Sequence, residues 1–418
     1  MKTINIIFLT ALLLILNGCE ENEESFLEIN GVVNSSEIKS IILVKPNQDM
    51  RFDSIIELPI KDGKFHYQSK LDHPEAVSLM LGKAKQQGGR FMPLFLTNEK
   101  ISLEINDEEN FDDNIISGGS LNIEYSKFKE DFDQKFNRRL QPFQDSIKSL
   151  MDLDRYHSDK MKEILSSLKL AKNQDEKVPL YKKMSDLREN NLHLSTDAEK
   201  FEKKLEVIYR EQDSEKQRYI ESNPSIVSYS FLLDDLIFFK DRVNVEVAKK
   251  NFLKLSTANP SHPYNHLARR LIAAIENIKI GNDYLDFSAP DLNGDIIKLS
   301  EKIEGKVAIL DLWATWCGPC IAKTRTMVPI FEEYRDKGFT IVGVAGEFKS
   351  LDRLFPFLEK EMWDWLQLVE LDRENNIWQK YGVGNGGGAL FLIDENGKVV
   401  AKDPTPEEVR NQIEAWLN

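Results

Sequence analysis

Two cysteines separated by only two residues lie in the segment Trp316-Cys317-Gly318-Pro319-Cys320. The segment follows the apolar run Val307–Trp313, which is typical of a strand covered on both faces of a sheet. A stretch with helical spacing follows the cysteines up to about residue 337. Because Cys-x-x-Cys at such a strand-to-helix junction is typical of redox chemistry rather than of metal binding, we interpret the pair as redox-active.

The two sulfurs are expected to have different roles. Cys317 is placed at the helix start, where free N–H groups and the positive end of the helix dipole lower a thiol pKa, so it is the predicted nucleophile. Cys320 lies one turn further and is expected to be the more buried of the two, so it is the predicted resolving thiol. Pro319 fits an early helical position because its missing N–H costs nothing there. Gly318 completes the motif, and Trp316 is expected to shield the pair on one side.

Three other interpretations of the cysteine pair compete with thiol-disulfide exchange. Zinc would need two more ligands; His262 and His266 could share a helix face, but Pro263 lies between them, and no metal is expected. A peroxidatic cysteine would need proline seven and threonine three residues before it, where this chain has Leu310 and Ala314. An inert structural disulfide remains an open alternative.

Composition limits the classes of function. The chain has 418 residues, enough for two to four domains, with 41% apolar and 30% charged residues. Lys and Arg number 55 against 69 Asp and Glu, which gives a net charge of −14. So acidic a chain is a poor candidate for sequence-independent nucleic-acid binding, which needs clustered cations. Three cysteines are too few for a scaffold held by several disulfides.

The N-terminus has the pattern of an export signal. A lysine at position 2 precedes an apolar run over residues 4–16, which is shorter than the roughly 20 residues of a spanning helix. The run ends in Leu16-Asn17-Gly18-Cys19, which resembles a bacterial lipobox. We therefore expect a signal peptide over residues 1–18 and a lipid on Cys19; an ordinary signal peptide is the alternative.

Export bears on the chemistry expected of the two thiols other than Cys19. Residues 19–25 read as a flexible acidic tether, since no apolar side chain follows Cys19 before residue 26. With Cys19 lipidated, Cys317 and Cys320 are the only thiols of the mature chain. The expected location is the cell envelope, anchored by lipid on the periplasmic side, with the outer surface as the alternative.

The mature chain is expected to contain a β-rich part and an α/β part. Residues 26–118 show short alternating apolar runs, which predict a small antiparallel β-domain with a hairpin turn at Asp62-Gly63. Residues 281–418 alternate between strand and helix patterns, which predicts an α/β domain. Within it, a helix is expected from residue 351 to 361, and a hairpin follows from residue 389 to 401.

Between these parts, residues 119–280 carry apolar residues at helical spacing and predict an all-helical region. It is either a spacer or a platform for a partner or for dimerisation. Prolines are expected to separate its helices, and they are Pro142, Pro179, Pro224, Pro260 and Pro263.

Residues 284–418 resemble the thioredoxin superfamily, in particular the membrane-anchored TlpA/ResA-like thiol-disulfide oxidoreductases. The matching residues are Phe287-Ser-Ala-Pro290-Asp-Leu-Asn-Gly294, Leu299-Ser, Gly305-Lys-Val, Leu310-Asp-Leu-Trp-Ala-Thr-Trp-Cys-Gly-Pro-Cys320, Tyr381-Gly-Val383, and Phe391-Leu-Ile-Asp394 with Gly397-Lys-Val. The preceding residues resemble the uncharacterised front half of similar lipoproteins. The resemblance implies a thioredoxin-like fold and exchange through a Cys317-Cys320 disulfide without another cofactor.

The resemblance also adds residues outside the motif. Asp311 matches the buried strand carboxylate that exchanges a proton with the second cysteine, although a purely structural aspartate is the alternative. Gly388 occupies the position of the substrate-binding cis-proline, so a trans, flexible loop is expected there. Arg325 replaces a kink proline, and Lys323 replaces an acidic residue and is expected to favour the thiolate.

These observations predict a membrane-anchored enzyme that reduces disulfides of exported proteins through a Cys-Gly-Pro-Cys motif. Its partners would be protein thiols and disulfides and a membrane thiol relay that donates electrons. The alternative is an envelope-binding or stress-response lipoprotein in which the cysteine pair is a sensor or a structural link.

Overall fold

The computed structural model describes residues 25–384 and 386–417. The predicted signal peptide and Cys19 lie outside the described residues. Within the described ranges, no helix is both long and apolar enough to cross a membrane.

The N-terminal region consists of two facing sheets. Its elements are β1 (Leu27–Val33), β2 (Ser40–Val44), β3 (Ile56–Pro59), β4 (Lys64–Ser69), β5 (Glu75–Leu81), the short helix α1 (Ala84–Gln87), β6 (Phe91–Leu96), β7 (Lys100–Ile105) and β8 (Ile115–Gly118). The strand orders are β4-β1-β7-β8 and β3-β2-β5-β6. Alternate residues such as Leu103 in β7 and Leu79 in β5 are buried in one shared core. The pairing is antiparallel except between β1 and β7, which run parallel.

The turn predicted at Asp62-Gly63 forms, but it does not join paired strands. Both residues have positive φ, 51° and 69°, and Lys61 and Lys64 exchange backbone hydrogen bonds around them. However, β3 pairs with β2, whereas β4 pairs with β1 in the other sheet. The hairpin prediction was therefore wrong about the partners, because long-range pairing outweighs the local turn.

The middle region is helical, as predicted. Its helices are α2 (Ser120–Asp152), α3 (Asp159–Leu170), α4 (Gln174–Glu189), α5 (Thr196–Ser222), α6 (Ile226–Phe238), α7 (Val245–Ala258) and α8 (Tyr264–Asn277). Several begin where a side-chain oxygen accepts a backbone N–H of the first turn, as Ser195 does at α5 and Asn244 at α7. Such N-caps satisfy groups that the helix itself leaves free.

Two of the prolines do not end helices. Pro142 lies inside α2 and Pro179 inside α4, which corrects the prediction for both. In α2 the helix continues because packing against α5 holds it on both sides of the proline, with Phe136 and Ile147 both buried. Pro224, Pro260 and Pro263 lie outside the helical spans, as predicted.

Side chains from the helices hydrogen-bond the N-terminal sheet directly. The Tyr264 hydroxyl in α8 accepts the Ala76 N–H at 2.8 Å and donates to the Ala76 carbonyl at 3.1 Å. The Asn122 side chain in α2 forms the same two-sided contact with Phe95 at 2.9 and 2.8 Å. The two regions are thus joined by buried polar contacts as well as by apolar packing.

The C-terminal region has a mixed sheet between helices. Its elements are β9 (Ser288–Pro290), β10 (Ile296–Lys298), α9 (Ser300–Ile303), β11 (Val307–Trp313), α10 (Gly318–Tyr334), β12 (Phe339–Glu347), α11 (Leu354–Glu361), β13 (Leu366–Leu371), α12 (Ile377–Lys380), β14 (Ala389–Ile393), β15 (Val399–Lys402) and α13 (Pro406–Leu417). The large sheet has the order β13-β12-β11-β14-β15. All of β11 is buried, as its sequence predicts, and it leads into α10 at the centre of the sheet. Helix α11 begins three residues later than expected.

Candidate active site

The two cysteines form a disulfide at the start of α10. Cys317 is the N-cap residue, and its Sγ accepts the backbone N–H of Cys320 at 3.3 Å. Pro319 lies in the first turn, where a missing N–H leaves no hydrogen bond unmade. The first sulfur therefore lies at the helix end where free N–H groups favour negative charge.

The loop before the cysteines is fixed by a carboxylate that the sequence analysis missed. Glu347, at the end of β12 and 4% exposed, accepts the Thr315 N–H at 2.7 Å and the Thr315 hydroxyl at 2.9 Å. The Trp316 indole N–H donates to the Gly346 carbonyl at 3.0 Å. These bonds fix Thr315 and Trp316, the two residues before Cys317, to the end of β12.

The Trp316 ring forms part of a stack that includes the N-terminal region. The rings of Trp316 and Phe348 stack with their centroids 5.1 Å apart. The ring of Phe52 stacks on the ring of Phe348, with 5.3 Å between centroids. The guanidinium of Arg51 lies 4.7 Å from the Trp316 ring centroid, and Asp49 binds that guanidinium. The loop between β2 and β3 thus covers the tryptophan beside the attacking sulfur.

Asp311 lies in the middle of β11 and is 1% exposed. Burial raises the pKa of its carboxyl to about 7, although a hydrogen bond from the Thr324 hydroxyl at 2.7 Å opposes the rise. The same hydroxyl lies 3.0 Å from the Cys320 carbonyl. Since a hydroxyl has one hydrogen, both contacts are hydrogen bonds together only when Asp311 carries the proton. Thr324 was not predicted from the sequence, because nothing in its neighbourhood distinguishes it from other polar residues of a helix.

The two unusual residues of α10 both have acidic partners. Lys323 forms an ion pair with Asp403 at 2.9 Å. The carboxylate of Asp403 partly neutralises the lysine charge, which weakens the expected effect of Lys323 on a cysteine thiolate. Arg325, at the expected kink position, binds Glu361 of α11 through two hydrogen bonds of 2.8 and 2.5 Å. Its guanidinium therefore ties α10 to α11.

Gly388 contacts the second sulfur through its backbone. Its N–H donates to Cys320 Sγ at 3.0 Å, and the described residues contain no cis peptide bond, in line with the expected trans loop. A Cβ at this position would lie 1.7 Å from the Leu312 carbonyl oxygen. Only glycine fits here, and unlike proline it supplies a hydrogen-bond donor.

The disulfide lines a recess of about 310 Å³. Its lining includes Asp311, Gly388 and, from α4 of the helical region, Tyr181. Cys317 is 5% exposed and Cys320 is 7% exposed, so the expectation that Cys320 is the more buried was wrong. Cys317 lies beside a glycine-rich loop that contains Gly384, Gly386, Gly387 and Gly388. A Cβ built on Gly387 would be 3.9 Å from Cys317 Sγ.

Among the described residues, no group of three or more His, Cys, Asp or Glu side chains is arranged to hold a metal ion. His262, weighed as a ligand from the sequence, is buried, and its Nε2 lies 2.8 Å from the Pro74 carbonyl oxygen.

Comparisons with known proteins give relatives for two parts of the chain. Residues 280–402 match the AhpC/TSA family, and residues 27–125 match a domain of unknown function, DUF4369. A thiol-disulfide oxidoreductase ResA of Bacillus cereus is 32% identical over 151 residues, covering 34% of this chain and 79% of ResA. ResA of Bacillus subtilis (strain 168) is 31% identical over 157 residues, covering 35% of this chain and 79% of ResA. A crystal structure of a thiol:disulfide interchange protein, DsbE, from Chlorobium tepidum covers 34% of this chain and 99% of its own, with 32% identity and a TM-score of 0.30.

A cysteine pair at the start of the helix that follows the central strand of a thioredoxin-like domain defines a class of redox enzymes. The chain belongs to the ResA-like thiol-disulfide oxidoreductases. The thioredoxin-like fold after a β-rich and a helical region is confirmed, as is the class of enzyme. Enzymes of this class use a redox-active disulfide and act on protein thiols.

Proposed function

We propose that this protein is a lipid-anchored oxidoreductase of the cell envelope that reduces disulfides in exported proteins. The observation that supports this best is the Cys317–Cys320 disulfide at the start of α10, in a recess that Asp311 also lines. An oxidised pair with an adjacent buried carboxyl is suited to exchange, because the second thiol must lose a proton before it attacks.

In the reduced enzyme, Cys317 is the attacking thiolate. The N–H groups at the start of α10 stabilise its negative charge and lower its pKa. Its sulfur bonds to one sulfur of a substrate disulfide, the substrate S–S bond breaks, and the other substrate sulfur leaves as a thiolate that takes a proton from water. The product of this step is a mixed disulfide on Cys317.

Cys320 then resolves the mixed disulfide. Its thiol gives a proton to the Asp311 carboxylate, and its sulfur attacks Cys317 Sγ, which releases the second substrate sulfur as a thiolate. Two electrons pass from the enzyme dithiol to the substrate, and the Cys317–Cys320 disulfide re-forms. Because burial raises the pKa of Asp311 to about 7, the carboxyl can both accept and return a proton near neutral pH.

A further dithiol must restore the reduced enzyme, and we assign this to a membrane thiol relay. The lipobox at Cys19 supports an anchor that keeps the domain near such a donor. We propose the division that the sequence indicates: a leader over residues 1–18, a tether over 19–25, and regions over 26–118, 119–280 and 281–418.

A trapping experiment tests the assignment. Cys320→Ser should attack but not resolve, so mixed disulfides with envelope proteins accumulate and disappear on treatment with dithiothreitol. The matched control, Cys317→Ser, should trap far less, because it retains only the resolving thiol. If Cys320→Ser traps nothing and the wild-type protein does not accelerate insulin reduction by dithiothreitol, the pair is a sensor or a structural link instead.

A further inference from the structure

The position of the disulfide restricts which substrates reach it. Cys317 is 5% exposed and Cys320 is 7% exposed, and both residues line the recess. Tyr181 from α4 lines the recess opposite the thioredoxin-like residues, so its wall is partly built by the helical region. A cysteine on the rigid surface of a folded protein fits such a recess poorly, whereas one in an extended segment can enter it.

A second cavity, of about 510 Å³, lies beside the recess, and we call it the junction groove. All three regions of the chain contribute to it. Its apolar lining includes Val44, Met50, Phe91, Pro93, Phe238 and Leu271. Phe91 is 59% exposed and Phe238 is 68% exposed, although large apolar side chains are usually more buried. The junction groove therefore has solvent-exposed apolar side chains that a ligand could cover.

The recess and the groove share one lining residue. Gly386 lines both cavities, and a side chain built on it would meet nothing within 4 Å. The loop is attached on the groove side, where Lys240 Nζ donates to the Gly382 carbonyl. An extended chain advances about 3.4 Å per residue, so a segment disulfide-bonded to Cys317 can pass Gly386 and enter the groove within a few residues.

We propose that the junction groove binds the extended apolar segment of the substrate protein next to the cysteine that Cys317 attacks. The groove adjoins the recess of the disulfide at Gly386, and its apolar lining matches side chains that unfolded proteins expose. The inference rests on the proposed attack by Cys317. It gives the β-rich and helical regions a part in substrate selection.

The test uses the full mature chain, with dithiothreitol as the electron donor and the rate without enzyme subtracted, and two disulfide-linked peptides of equal length and charge. One has leucine and phenylalanine beside its cysteine, and the other has serine and glycine; hydroxyethyl disulfide serves as a substrate without a peptide. Phe91→Asp and Phe238→Asp introduce charge at exposed positions, so the fold should persist. Leu253→Asp, at a position 69% exposed and outside both cavities, is the matched control.

We expect both groove variants to lower kcat/KM for the apolar peptide at least tenfold, through KM, with hydroxyethyl disulfide and the control variant unchanged. Fluorescence anisotropy with an apolar peptide in which serine replaces cysteine should show the same loss of binding without any exchange. The proposal is wrong if the apolar peptide binds and reacts equally well with the groove variants, or if Phe91→Asp instead converts a dimer to a monomer in sedimentation. Wild-type protein that binds the cysteine-free peptide but cannot reduce hydroxyethyl disulfide would disprove the proposed function and leave the groove assignment standing.

Discussion

The carboxyl group of Asp311 is buried between β11 and α10, and its protonation couples the site to pH. Burial raises its pKa from 3.8 to about 7, so ionising it in the folded state costs about 4 kcal/mol. Between pH 4 and 7 the folded protein keeps a proton that the unfolded chain releases. The contribution of this group to the free energy of unfolding therefore falls as pH rises through that range.

Asp311→Asn removes this penalty. We expect the variant to match the wild-type protein at pH 4 and to be more stable at pH 8 by up to about 4 kcal/mol. Urea unfolding of the oxidised proteins at the two pH values measures the difference. An equal effect of the substitution at both pH values would show that Asp311 does not ionise with a raised pKa.

Gly388 gives a second prediction at the residue scale. In Gly388→Ala the new Cβ would lie 1.7 Å from the Leu312 carbonyl oxygen, so the loop must move away and the N–H···Sγ bond to Cys320 is lost. A hydrogen bond to a thiolate stabilises the charged form, so its loss should raise the pKa of Cys320, which absorbance at 240 nm measures in the Cys317→Ser background.

Gly384→Ala is the control for this substitution, because a Cβ there meets nothing within 4 Å. It keeps the same change of residue type in the same loop and should leave the Cys320 titration unchanged. A shift of equal size in both variants would mean that loop stiffness, not the lost hydrogen bond, alters the thiol.

At the scale of elements, α2 continues through a proline. Pro142 is exposed and lies inside the helix, where it lacks an N–H and its ring crowds the preceding turn. We expect Pro142→Ala to raise the free energy of unfolding by about 1–3 kcal/mol. Gln141→Ala, at the exposed neighbouring position, should change it by less than about 0.5 kcal/mol, and chemical denaturation followed by circular dichroism compares the two. No gain for Pro142→Ala would show that the helix has adapted fully to the proline.

Elements with a strong local pattern were predicted from sequence, and elements set by distant contacts were not. The run in β11 was predicted because all of it is buried, and the turn at Asp62-Gly63 because both residues favour positive φ. The partner of β4 depends on β1, more than thirty residues earlier in the chain, which no local pattern encodes.

The residues of the site likewise divide into those with a local sequence pattern and those placed by distant contacts. The cysteine motif has a recognisable spacing, and Asp311 follows from the resemblance to the thioredoxin superfamily. Glu347 and Tyr181 contribute to the site only because β12 and α4 are packed beside α10. A glutamate in a strand or a tyrosine in an amphipathic helix carries no sign of that role in its own neighbourhood.

At the scale of the whole molecule, the lipobox predicts one modification. Wild-type protein expressed in a bacterium should incorporate labelled palmitate, because the thiol of Cys19 is the proposed acceptor. Cys19→Ala should lose the label completely, whereas Cys317→Ser, which also removes one thiol, should retain it. Labelling that persists in Cys19→Ala would place the lipid on another residue, and wild-type protein without label would disprove the anchor.

The bond between Tyr264 and Ala76 also bears on how the chain is made. The two residues are 188 positions apart, and at 5–20 residues per second a ribosome adds the tyrosine roughly 10–40 s after the alanine. Throughout that interval the N–H and the carbonyl of Ala76 in β5 lack the hydrogen bonds that the Tyr264 hydroxyl later forms with them. Ala76 lies in the part of β5 that extends beyond its neighbour β2. A polypeptide whose synthesis stops before α8 should therefore associate with other chains through this end of the strand more readily than the finished protein does.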